Sequence, residues 1–72
     1  MNDLKQMVGA RLKESRRVKK ITQAQAAKLL YMTQQQYSRF ENGIFELNYQ
    51  QLVFLCKLYD VSSDFLLGLS EY

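Results

Sequence analysis

Histidine and proline are absent from the chain, and glycine occurs only three times among its 72 residues. The lack of proline and the scarcity of glycine favour helices and argue against an all-β fold with many tight turns. No carboxylate pair has acid–base or metal-binding spacing, and no glycine-rich phosphate loop is present. We therefore expect no catalytic residues, no metal, no cofactor and no small-molecule substrate, so an enzyme is not expected.

Cysteine is also scarce, and the single Cys56 excludes an internal disulfide. It lies in the longest apolar run, residues 52–56, which predicts a buried hydrophobic side chain rather than a reactive thiol. This run of five residues is far shorter than the roughly 18 that a membrane-spanning helix needs. The polar and charged first twenty positions contain no signal-peptide core. These features predict a cytoplasmic protein that does not interact with a membrane.

Positive charge is concentrated in the first part of the chain. Residues 1–40 contain nine lysines and arginines against two acidic residues, whereas residues 41–72 contain one lysine against five acidic residues. A basic half suits a polyanion such as nucleic acid. A solvated helix face would have the same composition, so charge alone leaves both interpretations open.

The spacing of apolar and capping residues predicts an all-α fold with five helices in a single domain, residues 1–72. Helices are expected over residues 3–19, from residue 22, over 33–42, from residue 48 and over 63–67. In the first helix, Leu4, Val8 and Leu12 form one apolar stripe. Five short amphipathic helices are enough to bury one small core.

Two threonines mark the start of the second and third helices. Thr22 and Thr33 are each followed three positions later by glutamine. In this pattern, a capping box, both side chains satisfy backbone amides at the helix start. The third helix, residues 33–42, stops before Gly43, which suits a left-handed terminus. Two capped helices joined by a short turn, over residues 22–43, are the layout of a helix-turn-helix.

The outer face of the third helix indicates what this motif could contact. Tyr37 and Phe40 define an inner apolar face, which leaves amide and guanidinium groups outside. A glutamine amide can pair with adenine N6 and N7, and an arginine with guanine O6 and N7, in the major groove. The residues predicted to contact bases are Gln34, Gln35, Gln36 and Arg39. An ordinary polar helix face also contains glutamines, but the two capping boxes, the short turn and the basic half favour DNA.

The helix-turn-helix segment resembles the phage repressor and Cro-type family, also called the XRE family. The resemblance lies in TQ at residues 22–23 and in the run TQQQYSRFENG at residues 33–43. Residues 11–16 (RLKESR) resemble the family's first helix, and residues 61–68 (VSSDFLLG) resemble its closing segment. The resemblance implies a compact five-helix repressor-like domain and a sequence-specific DNA-binding transcriptional regulator. The shortness of the chain favours a repressor over an activator, a choice that the residues themselves leave open.

The resemblance also implies roles for individual residues. Gln23 would contact a phosphate and brace Gln34, Asn42 would touch the DNA backbone, and Arg16 would pair internally with Glu41. The complete set of predicted phosphate contacts is Gln23, Thr33, Lys28, Lys20 and Asn42.

The chain departs from the family pattern at the turn and in the following loop. Tyr31 stands where the family usually has glycine, so a left-handed backbone there would be strained by about 1 kcal/mol or more. The loop at residues 44–47 lacks basic residues. Neutralisation of the DNA backbone is therefore expected to depend on Lys20, Lys28, Arg11 and Arg17.

Double-stranded DNA with a pseudo-palindromic operator is the expected partner, bound by a homodimer, since half-sites about 34 Å apart match two-fold protein symmetry. The predicted dimer surface is Leu66, Leu69 and Tyr72. The alternative is an antitoxin-type protein-interaction module that also binds operator DNA. It is favoured by apolar residues beyond the needs of a small core, namely Phe45, Tyr49, Phe54, Leu58, Leu69 and Tyr72. Non-specific nucleic-acid binding is a third possibility.

Overall fold

A computed structural model describes residues 3–71, and these residues form five α-helices. The helices are α1 (Asp3–Val18), α2 (Gln23–Leu29), α3 (Gln34–Glu41), α4 (Tyr49–Tyr59) and α5 (Ser63–Leu66). No strand occurs within the described range, and the predicted all-α class is confirmed. None of the described helices combines the length and the apolar character needed to cross a bilayer.

Side-chain caps determine where four of the helices begin. Thr22, Thr33 and Asn48 each accept a bond from the backbone N–H three residues later, and Ser62 does the same before α5. After each of the first three caps, the glutamine side chain accepts a bond from the cap's own N–H at 2.9 Å. These capping boxes satisfy amides that the short helices would otherwise leave unpaired, and they confirm the predicted helix starts.

Left-handed residues turn the chain between helices. The φ angles of Lys20, Tyr31 and Asp60 are 59°, 58° and 57°, values that carry a steric cost for side chains with a Cβ. The strain predicted for Tyr31 is therefore present, and its side chain, 97% exposed, gains no packing in return. Gly43, with φ +75°, ends α3 as the sequence predicted.

The core lies around α3, which contacts both α1 and α2, while α5 contacts α1 and α4. Tyr37 and Phe40 are buried on the inner face of α3, as expected. The other fully buried apolar side chains are Leu12, Ala26, Ala27, Leu55, Tyr59 and Leu66. The two alanines of α2 allow that helix to approach α3 closely.

Gly9 allows α1 to lie directly against the end of α3. A Cβ at this position would stand 2.5 Å from the carbonyl oxygens of both Phe40 and Glu41. Both neighbours are backbone atoms, so neither can rotate away. The sequence patterns assign no role to this glycine, because the contact is long-range.

The prediction that Leu66 belongs to a dimer surface is wrong. Its side chain is fully buried in the core of the same chain. The four-residue helix α5 packs against α1 and α4, and Leu66 is the residue by which it joins their core. Leu69 is 76% exposed, whereas Tyr72 lies outside the described residues.

Candidate nucleic-acid interface

The outer face of α3 carries Gln34, Gln35 and Arg39, all exposed. Gln35 and Arg39 are four residues apart, so their side chains lie on the same side of the helix. The opposite side is held by the buried Tyr37 and Phe40. A helix anchored on one face and capped at its start presents these polar groups with little freedom of the backbone.

Gln36 is also exposed, but its side chain is part of the capping box. Its Oε1 accepts the N–H of Thr33 at 2.9 Å, while its own N–H donates to Oγ1 of Thr33 at 3.1 Å. The bidentate contact with adenine needs both a free donor and a free acceptor. One lone pair of its Oε1 is thereby occupied and the side chain is held at the helix start, so Gln36 is less free than Gln34 or Gln35 to make this contact.

Arg39 is supported by the loop that follows α3. The carbonyl oxygen of Arg39 accepts the N–H groups of Ile44 and Phe45 at 2.9 and 3.2 Å. Its guanidinium carbon lies 5.4 Å from the centre of the Phe45 ring, and this ring makes an edge contact with Phe40 at 6.2 Å. From the sequence, Phe45 is predicted only at a protein interface, because an aromatic residue in a loop belongs to no helical pattern.

Glu41 is a buried carboxylate held by two other helical segments. Arg16 donates to it from Nε at 2.7 Å and from Nη2 at 3.2 Å, and Gln23 donates from Nε2 at 3.0 Å. Burial alone would raise the pKa of Glu41, but the hydrogen bonds from Arg16 and Gln23 outweigh it and lower the pKa below its ordinary value. Glu41 thus stays ionised and ties α1 and α2 to the end of α3.

Gln23 begins α2 and is half-buried. Its amide donates to Glu41, while the implied bracing of Gln34 against DNA stays a prediction. A glutamine amide has two N–H donors and an acceptor oxygen. One N–H donor is used by Glu41. The second N–H and the acceptor oxygen remain for a partner at the surface.

Two tyrosines form a further polar pair in the core. The hydroxyl oxygens of Tyr37 and Tyr59 are 2.6 Å apart, and both side chains are buried. Burial is the main factor that raises the pKa of each hydroxyl, so both remain protonated. The sequence predicted Tyr37 only as an apolar core position, since its pairing with Tyr59 joins residues far apart in the chain.

The basic residues fall into two groups. Lys20, Lys28 and Arg17 are exposed and available to an anion. Arg11 is different, and the expectation that it faces DNA is wrong. Its guanidinium donates to the carbonyl oxygens of Phe65 and Ser70 and lies 4.5 Å from the Phe65 ring centre.

The remaining predicted phosphate contacts, Thr33 and Asn42, flank α3 as its N-cap and C-cap, and both are exposed. Cys56 is half-buried, and burial raises the pKa of its thiol. This agrees with its predicted place in the packing of α4.

A family model described as helix-turn-helix matches residues 12–66 of the chain. The match includes α2, the turn and α3, together with the C-terminal part of α1 and the helices α4 and α5. No curated protein matches the chain.

Proposed function

The chain belongs to the helix-turn-helix family of the XRE type and is a DNA-binding transcriptional regulator, and from this premise we propose that it is a cytoplasmic repressor. In this proposal a homodimer binds a pseudo-palindromic operator, and each copy places α3 in the major groove. The supporting observation is the pair of exposed polar side chains Gln35 and Arg39 on one side of a capped, core-anchored helix.

Gln34, Gln35 and Arg39 are the proposed base contacts. An α-helix fits the major groove, where each bidentate pair contributes about 1–3 kcal/mol of discrimination against the wrong base. The Phe45 ring beneath the Arg39 guanidinium limits the positions that this side chain samples. Gln36 is proposed as a weaker contact, because its side chain is also part of the capping box.

Phosphate binding is assigned to Lys20, Lys28, Thr33, Asn42 and Gln23. The two lysines contribute charge, and the other three contribute uncharged hydrogen-bonding groups. Contacts of this kind fix the position of a protein on the duplex without reading its sequence.

The size of one copy supports the proposed dimer. The described residues extend 28 Å along their longest axis, less than the spacing of about 34 Å between half-sites one helical turn apart. One copy therefore contacts one half-site, and two copies are needed for a pseudo-palindrome. Leu69 is the proposed centre of the contact between them.

An antitoxin-type module is a second candidate, favoured by exposed apolar side chains. Phe45, Tyr49 and Leu69 are 44%, 89% and 76% exposed, and exposed apolar groups often mark a protein interface. A different protein that co-purifies in equal amount would support this alternative. A pure homodimer that binds DNA would support the repressor.

Selection of bound duplexes from a random library tests the proposal. The parent is expected to enrich one motif, and Gln35→Ala and Arg39→Ala are each expected to relax the preference at one or two base pairs per half-site. Lys28→Ala is the matched control, since loss of a phosphate contact lowers affinity evenly and reduces the salt slope by about one. If all three variants lost affinity evenly across all duplex sequences, this result would contradict the assignment of Gln35 and Arg39 as base contacts.

A further inference from the structure

Arg11 links α1 to the segment that follows α5, residues 67–71. Its Nη1 donates to the carbonyl oxygen of Phe65 and, at 2.8 Å, to the carbonyl oxygen of Ser70. Its guanidinium carbon lies 4.5 Å from the centre of the Phe65 ring. One side chain of the first helix therefore holds both the last turn of α5 and the backbone five residues beyond Phe65.

These contacts use properties that arginine has and lysine lacks. A guanidinium presents several N–H donors in a fixed plane and can stack on an aromatic ring. Only 21% of the Arg11 side chain is exposed, so water replaces its hydrogen bonds poorly. The ion pair with Glu71 adds little, because the two groups are 4.0 Å apart and the Glu71 side chain is 87% exposed.

The segment 67–71 lies outside the helices, yet its backbone is held on both sides of Leu69. The N–H of Leu69 donates to the carbonyl oxygen of Asp64 at 2.8 Å, and Arg11 binds the carbonyl oxygen of Ser70. Between these two bonds, the Leu69 side chain is 76% exposed. An apolar side chain on a backbone fixed in advance can contact another surface at a low cost in entropy.

We propose that Arg11 is a positioning residue for the contact between two copies of the chain, because it fixes the backbone beside Leu69. This inference rests on the proposed function, in which Leu69 is the centre of the dimer contact. Without Arg11, residues 69–71 would have to be ordered when two copies meet, and the dimer would be weaker. Arg11 and residues 67–71 lie outside the stretch 12–66 that the family model matches, so that match assigns them no role.

A double-mutant cycle on the dissociation constant of the dimer tests this inference. Arg11→Met removes the N–H donors and keeps an apolar stem, and Leu69→Ala removes the apolar contact. We expect Arg11→Met alone to weaken the dimer about tenfold, within the range for residues that act together. In the Leu69→Ala background the same change should weaken it less than about twofold. Sedimentation equilibrium measures all four dissociation constants.

Two further measurements separate positioning from charge and from stability. Arg17→Met removes the same charge from an exposed position of α1 and should change the dissociation constant less than about twofold. Nitrogen-15 relaxation in the Leu69→Ala background reports the order of residues 69–71, and replacement of Arg11 should lower their order parameters below about 0.6. Circular dichroism establishes that each variant is folded under the conditions of measurement.

Four results would overturn the inference. They are equal weakening by Arg11→Met in both Leu69 backgrounds, no weakening by Arg11→Met, equal weakening by Arg17→Met, and residues 69–71 that stay ordered without Arg11. Failure of the proposed dimer has a different signature, since the parent would then sediment as a monomer or Leu69→Ala would dimerise like the parent. Either outcome would overturn both proposals.

Discussion

Glu41 shows how one buried side chain can control several others. Its carboxylate is bonded to Arg16 and Gln23, and its pKa is lowered although burial acts to raise it. A carboxyl whose pKa is lower in the folded state stabilises the fold above its unfolded pKa of about 4.3. This stabilisation is lost as the pH falls through the folded pKa.

Arg16→Met is expected to reduce the free energy of unfolding at neutral pH by about 3 kcal/mol, because it leaves a buried charge unpaired. It should also flatten the fall in stability below about pH 4.3, since the pKa of Glu41 would no longer be depressed. Urea unfolding across the acid range measures both effects. Lys19→Met is the matched control, since its ion pair with Asp60, at 3.8 Å, is exposed and contributes about 1 kcal/mol or less. A loss from Arg16→Met no larger than that of the control would contradict this role.

Tyr31 combines a left-handed backbone with an exposed side chain. Tyr31→Gly is expected to raise the free energy of unfolding by about 0.5–1 kcal/mol, because glycine adopts this conformation without the Cβ penalty. Tyr31→Ala keeps the Cβ and should give no such gain. If alanine stabilised the fold as much as glycine, backbone strain would not be the reason.

Among the helices, the closest contact joins α1 to the end of α3 at Gly9. Gly9→Ala would place a methyl group 2.5 Å from two carbonyl oxygens, so we expect a loss of at least about 1–3 kcal/mol from overpacking. Thermal unfolding measures it, with Lys13→Ala on the exposed side of the same helix as the control. A neutral Gly9→Ala variant would mean that α1 can move away from α3 without cost.

Helix starts were predictable from the sequence because caps are local. Thr22, Thr33 and Asn48 need only the residue three positions later to form their boxes. Leu66 was misplaced because a four-residue helix has too few positions to reveal which side is apolar. The number of basic residues likewise does not predict which of them bind within the chain, as Arg11 does to carbonyl oxygens of the C-terminal segment.

Within the site, the sequence predicted the exposed face of α3 but not the groups that support it. Gln35 and Arg39 follow from the inner positions of Tyr37 and Phe40 by helical geometry alone. The Phe45 ring under Arg39 and the Tyr37–Tyr59 bond depend on tertiary contacts. Such contacts join segments that are far apart in the sequence, and a short sequence pattern does not predict them.

At the scale of the whole molecule, two copies are proposed to bind DNA together. Leu69→Glu is expected to separate the proposed dimer, because two carboxylates would face each other across the two-fold axis. The variant should sediment as a monomer and bind the full operator more weakly, while its free energy of unfolding changes by less than about 0.5 kcal/mol, as for an exposed site. A Leu69→Glu protein that sediments like the parent would place the dimer contact elsewhere.

The proposed insertion of α3 into the major groove is tested most directly by methylation protection of the selected duplex. Guanine N7 lies in the major groove and adenine N3 in the minor groove, so dimethyl sulfate reports on both. We predict protection of guanine N7 in each half-site by the parent, loss of that protection at one guanine with Arg39→Ala, and unchanged methylation of adenine N3. Protection confined to adenine N3, or guanine protection that Arg39→Ala leaves intact, would contradict the account.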